Sequence, residues 1–156
     1  VMLSDLYQVR TMADGGYLVW LIFISSWGCD TCAYCTGMLF GRHKLAPVLS
    51  PKKSVEGAIG GALGAGLLGF LYALAFGARM SELMNPRVAC PVACAIAAVI
   101  SQIGDLAASA IKRNHDIKDY GNVIPGHGGI LDRFDSMLFT APAIYFAITF
   151  LGQFVR

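Results

Sequence analysis

Residues 109–135 read SAIKRNHDIKDYGNVIPGHGGILDRFD. Lys112, Arg113, Lys118 and Arg133 stand among Asp116, Asp119, Asp132 and Asp135, around the turn Pro125-Gly126-His127-Gly128-Gly129. Apolar runs flank this stretch at 88–111 and 137–155, and two more precede it at 16–34 and 57–78. Each run has roughly twenty residues, which at ~1.5 Å per residue matches a hydrocarbon core of ~30 Å. The predicted fold is therefore all-α: a polytopic transmembrane helical bundle of about four spans, with 1–156 forming a single integral-membrane domain. Composition agrees, because 56% of the 156 residues are apolar and only 14% are charged, well outside the balance of a soluble domain.

The net charge of +2 says less than its placement. The connection between the first two runs holds Arg42, Lys44, Lys52 and Lys53, and the last connection holds Lys112, Arg113, Lys118 and Arg133. The middle connection holds only Arg79 and Arg87. Lysine and arginine accumulate on the cytoplasmic side, so both basic connections are predicted there, with both termini on the other side. Nothing in this pattern calls for nucleic acid.

Four groups of residues carry candidate chemistry. Asp105, Ser109, Lys112 and Arg113 fall on or near one face of the third run. A carboxylate within an apolar span is costly unless it faces the bundle interior with a partner. Asp105 is accordingly a candidate metal or substrate ligand, against the plainer reading of a structural ion pair. Asp30, at the end of the first run, is the same kind of residue. Ser50-Pro51-Lys52-Lys53 reads as a helix start, with Ser50 as N-cap and Pro51 as the first helical residue. Two cations at the positive end of a helix are mismatched without an anion. Ser50, Lys52 and Lys53 are thus candidates for phosphate, against simple anchoring to anionic lipid.

In the third and fourth groups, Gly128 and Gly129 let backbone N–H groups approach an anion, and His127 between glycines is a candidate for a phosphate contact or a proton role. Asp132 and Asp135 are three apart and would share a helix face, a carboxylate pair suited to Mg²⁺. Arg133 can meet a phosphate fork-wise. His43 and His115 are read as ordinary surface residues.

Three patterns are set aside or read structurally. Cys29-x-x-Cys32-x-x-Cys35 has the look of a metal run, but it lies in an apolar helix with no fourth ligand at useful spacing. Gly64-x-Gly66-x-x-Gly69 matches a dinucleotide fingerprint only formally, since no strand precedes it. The same run repeats Gly57, Gly61 and Ala65 at four-residue spacing, which predicts close packing against other helices, either upstream spans or a second copy of the chain. Pro91 is placed in the first turn of the third span, and Pro142 inside the fourth.

The stretch 109–135 follows the pattern S-x-x-K-R-x-x-x-x-K-D-x-G-x-x-I-P-x-H-G-G-x-x-D-R-x-D without departure. In this it resembles the phosphatidate cytidylyltransferases, the CDP-diacylglycerol synthases. A second block upstream is also similar to that family: Asp30-Thr31-x-Ala33-Tyr34-x-x-Gly37-x-x-Phe40-Gly41, then Leu45-x-Pro47 and Ser50-Pro51-Lys52-Lys53-Ser54-x-Glu56-Gly57. The resemblance covers most of the chain from about residue 27 to residue 135.

The resemblance implies a reaction in which CTP and phosphatidate give CDP-diacylglycerol and pyrophosphate, in phospholipid biosynthesis. It implies Mg²⁺, with a second cation as an option, held by Asp105, Asp132, Asp135 and Asp30. Lys112, Arg113, Lys118, Asp119, His127 and Arg133 would be catalytic. Ser50, Lys52, Lys53, Gly128 and Gly129 would bind nucleotide or phosphate. The expected partners are CTP, phosphatidate, membrane lipid and, as an option, a second copy of the chain. The expected location is a bacterial inner membrane with the site facing the cytoplasm. Relatives of this kind carry further spans upstream, so the chain reads as the C-terminal, catalytic half of a longer protein, with weak activity alone. The alternatives are a related CTP-dependent lipid enzyme, such as a CDP-archaeol synthase or a polyprenol kinase, and a non-catalytic membrane transport module.

Overall fold

A computed structural model describes residues 2–47, 50–80, 83, 85–115 and 131–154. Among these, six α-helices and one small hairpin follow in the order α1 (Met2–Thr11), α2 (Gly15–Phe23), α3 (Cys29–Phe40), β1 (Lys44–Ala46), β2 (Ser50–Ser54), α4 (Val55–Phe76), α5 (Pro86–Asn114) and α6 (Leu131–Phe154). A π-helical segment, Ile24–Gly28, joins α2 to α3 without a break, and a 3₁₀ turn, Gly77–Arg79, closes α4.

Three helical stretches are long and apolar enough to cross a membrane: Gly15–Phe40, Val55–Arg79 and Pro86–Asn114. They correspond to the first three predicted runs, each extended at its polar ends. Backbone hydrogen bonding continues past the last apolar residue, so helices outrun hydropathy. The fourth run lies within α6, whose apolar portion, Ser136–Leu151, is shorter than the other three. Large apolar side chains face outward along the bundle, among them Leu63, Leu67, Leu71 and Leu74 on α4 and Ile96, Val99 and Ile103 on α5. Such a surface is stable against lipid and unfavourable against water.

The inner face of α4 is built differently. Its buried residues are Gly57, Gly61, Ala65, Gly69 and Ala73, one every fourth position. A Cβ on Gly61 would lie 2.8 Å from Ala33 Cβ and 3.0 Å from the carbonyl oxygen of Cys29, both on α3. One on Gly69 would lie 2.9 Å from Cys94 Sγ, on α5. Close helix approach is therefore what glycine permits here. The partners of this stripe are α3 and α5 of the same chain, which corrects the expectation that it awaits upstream spans or a second copy. Gly104 on α5 plays the same part toward α6, where a Cβ would collide with the Phe139 ring.

Two elements were not anticipated. α1 is polar enough to look unstructured, yet it packs against α6, and Val9 is fully buried. The hairpin replaces the predicted helix start at Ser50. Strands β1 and β2 pair antiparallel, Lys44 opposite Ser54 and Ala46 opposite Ser50, with a bulge between those pairs. Pro51 lacks a backbone N–H and falls within the bulge, where a ladder can spare a donor. The helix begins instead at Val55, and its N-cap is Ser54, whose Oγ accepts a hydrogen bond from Gly57 N at 3.1 Å. Pro91 is likewise not in the first turn. Pro86 holds that place in α5, and Pro91 lies inside the helix.

Candidate active site

The hairpin sits at one end of the bundle and is fixed to α4 by a second set of contacts. Val55 N donates to the His43 carbonyl at 2.9 Å. The Glu56 carboxylate accepts from His43 N at 3.2 Å and lies 2.7 Å from His43 Nδ1. His43 is thus a structural clasp. The clasp and the Ser54 cap hold β2 over the start of α4, and with it Lys53.

Lys53 leaves the hairpin and forms an ion pair with Asp105 on α5. Both side chains are a little over a quarter exposed. The pair joins the two halves of the sequence that carried the candidate chemistry. It also reveals the partner that a carboxylate in an apolar helix requires. The structural reading of Asp105 is therefore correct of this state, and the residue Asp105 holds is the predicted phosphate-binding lysine.

Beside this pair lies a cleft of about 520 Å³ between α3, the hairpin and the start of α4. Asp30, Lys53, Ser50 and Gln102 supply its polar lining, and Tyr34 and Met38 its apolar side. Asp30 opens α3. Ser50 reaches the cleft from β2 rather than as a helix cap, so its predicted role as an N-terminal anion ligand is replaced by a place in the wall. Asp105 meets the cleft through Lys53. Lys112 and Arg113 occupy the last turn of α5, at the same end of the bundle as the hairpin, because α4 and α5 run antiparallel with Gln102 beside Ala58.

Lys52 lies in β2, and Asp132, Arg133 and Asp135 lie in the first five residues of α6; the placement of their side chains is outside the described residues. Lys118, Asp119, His127, Gly128 and Gly129 also fall outside them. Among the described residues, no three histidine, cysteine or carboxylate side chains converge to hold a metal ion. The cysteine run is dispersed by the helix: Cys29 is buried, Cys32 half-buried and Cys35 exposed.

Gln102 is the site residue that the sequence reading passed over. It stands one helical turn before Asp105, inside an apolar run. Its Nε2 donates to Ala58 O at 3.0 Å and to Cys29 Sγ at 3.1 Å. A lone amide in a span is itself a signal, since it must find partners there.

An apolar bundle with a charged cleft at one end defines an integral membrane protein. A family model described as "Cytidylyltransferase family" matches residues 1–151, and the chain belongs to that family. Among similar proteins are those named phosphatidate cytidylyltransferase from Staphylococcus haemolyticus, 38% identical over 139 residues, Bacillus subtilis, 43% over 122 residues, and Thermotoga maritima, 42% over 136 residues. These alignments cover 89%, 78% and 87% of this chain and 52%, 44% and 50% of those proteins. The chain thus spans about half the length of the curated relatives it matches.

Proposed function

We propose that the protein carrying this chain transfers a cytidylyl group from CTP to phosphatidate, yielding CDP-diacylglycerol and pyrophosphate. The observation that carries this reading is the Lys53–Asp105 pair. It joins a phosphate-type cation and a metal-type carboxylate from distant blocks, at the edge of a cleft that opens among apolar side chains. Such an edge suits a water-soluble triphosphate and a lipid-borne phosphate together. The site would face the cytoplasm of a bacterial inner membrane, where CTP is found and where the basic residues of the hairpin and α5 belong.

In the reaction, a phosphate oxygen of phosphatidate forms a bond to the α-phosphorus of CTP. The bond from that phosphorus to the bridging oxygen of the β-phosphate breaks, and pyrophosphate leaves. Transfers of this type depend chiefly on positioning and charge. Lys53 would exchange Asp105 for a phosphate oxygen of the bound nucleotide. Lys112 and Arg113 would hold the transferring phosphoryl group and stabilise charge in the transition state. Lys118, Arg133 and His127 would act from the connection before α6 and from its first turn.

The carboxylates here are hard oxygen donors, the set suited to Mg²⁺, which is held through one or two carboxylates and substrate phosphates rather than a full protein cage. Asp105 and Asp132, with Asp135 and Asp30 nearby in the scheme, would hold the ion. When bound, Mg²⁺ supplies positive charge against the triphosphate.

The decisive experiment is a pyrophosphate-release assay with CTP and phosphatidate in membranes containing the protein. Release that requires both substrates and a divalent cation supports the proposal. Formation of CDP instead of pyrophosphate would indicate a lipid kinase, and no dependence on CTP would leave a non-catalytic module.

A further inference from the structure

We propose that Gln102 is a positioning residue for the reaction: its carboxamide ties the α3 and α4 walls of the cleft to α5, and so sets the spacing between Asp30, Lys53 and Asp105. This rests on the cytidylyl-transfer reading of the site. Three observations support it. First, the two donor bonds of Nε2 end on different helices, at Cys29 Sγ of α3 and Ala58 O of α4. Second, each point touched by Gln102 adjoins a charged group. Cys29 immediately precedes Asp30, Ala58 lies in the opening turn of α4 just after Lys53 and Ser54, and Gln102 itself precedes Asp105 by three residues. Third, Gln102 borders the cleft, so no other layer of side chains lies between the tie and the space it shapes.

The alternative way to hold three helices together is packing alone. Here α3 and α4 approach through glycine and alanine, which make contact without fixing rotation or sliding strongly. A directional amide bond between them adds register. The ion pair at Lys53 cannot supply this, because on the functional reading it must open to admit phosphate. The Gln102 bonds need not open at any stage.

The test uses Q102M, which keeps length and volume but cannot donate, and C29A, which removes one of the two acceptors. The expected result for Q102M is a rise of about tenfold in KM for CTP at normal folded yield, and for C29A a smaller rise in the same direction, about threefold. A residue that only stabilised the fold would lower the amount of active protein, and so apparent kcat, at unchanged KM. A second readout needs no turnover. Cys29 is fully buried, and its alkylation by N-ethylmaleimide, followed by mass spectrometry in membranes, should be faster by about tenfold or more in Q102M as the α3–α5 contact loosens. A wild-type KM in either variant, or an unchanged Cys29 rate in Q102M, overturns the proposal. If the wild-type protein released no pyrophosphate from CTP, the functional reading would fail instead, and the alkylation rates would still decide whether Gln102 ties the helices.

Discussion

The two ends of the bundle use polar side chains in opposite ways. At the end away from the hairpin, Tyr72 donates to the Tyr17 carbonyl at 3.0 Å, Arg79 Nη1 donates to the Tyr17 hydroxyl at 3.3 Å, and the Phe76 ring packs against both tyrosines. Aromatic bodies fill the space, and each polar tip closes on a neighbour. At the hairpin end the charged groups surround space instead of filling it. Lys53, Asp105 and Asp30 meet around a cleft backed by small residues of α4. The lesson is that charge alone does not mark a site in a membrane bundle. An arginine among tyrosines can simply cap the structure, whereas a lysine–aspartate pair beside an open cleft has somewhere to put a ligand.

That contrast can be broken most sharply at Asp105. Replacing Asp105 by Asn removes both the partner of Lys53 and a proposed metal ligand, and pyrophosphate release should fall by about 10²-fold or more. The charge-exchanged double variant K53D/D105K restores the pair, so folded yield should recover while activity stays lost. Recovery of activity in that variant would reduce the pair to a structural tie.

Next in size is Lys53→Gln. It should raise KM for CTP or phosphatidate by about tenfold, the loss expected for one charge-assisted phosphate contact. Substrate titration would show this, and unchanged KM and kcat would make Lys53 a surface anchor.

The packing behind the cleft gives a smaller, energetic effect. Gly61→Ala places a methyl 2.8 Å from Ala33 Cβ and close to the Cys29 backbone, so it should destabilise the protein by about 1–3 kcal/mol. Gly66→Ala meets nothing nearer than 3.5 Å and should be neutral. Thermal unfolding in detergent compares the two, and equal midpoints would refute the close-packed stripe.

The smallest effect belongs to the far end. Tyr17→Phe removes the hydroxyl that Arg79 reaches, and turnover should stay within about twofold of wild type, since a single exposed polar contact is weak. A large loss of activity there would mean the two ends are coupled.

The spans were legible because hydropathy and length report directly on burial in lipid. Asp30, Lys53 and Asp105 were legible as candidates because charge inside or beside an apolar run is costly. What remained hidden was their mutual arrangement. Ser50-Pro51 has the residues of a helix start, and the true cap, Ser54, lies four positions later with the same side-chain chemistry. Local preference could not choose between them. The choice was made by the His43–Glu56 clasp and the pairing of β2 with β1, both contacts between segments. α1 was missed for a related reason: its buried Val9 is an isolated apolar contact with α6, not a periodic stripe. Gln102 was overlooked because its neighbours in sequence are apolar and its partners are 44 and 73 residues away.

The π-helical segment Ile24–Gly28 gives the chain a rotational phase. Before it, Leu18, Leu21 and Ile22 bury into the cluster that contains Val9 and Ile144; after it, Cys29 buries with Ala65 and Ala98. A π turn holds one residue more than an α turn. Removing one residue from 24–28 would restore regular winding and swing everything beyond by about 100°. Asp30 and the hairpin would then be aimed elsewhere, with every side chain of the site still present. The length of this segment is therefore as much a part of the active site as the residues that line it, and single-residue deletions there should be tolerated far less well than substitutions.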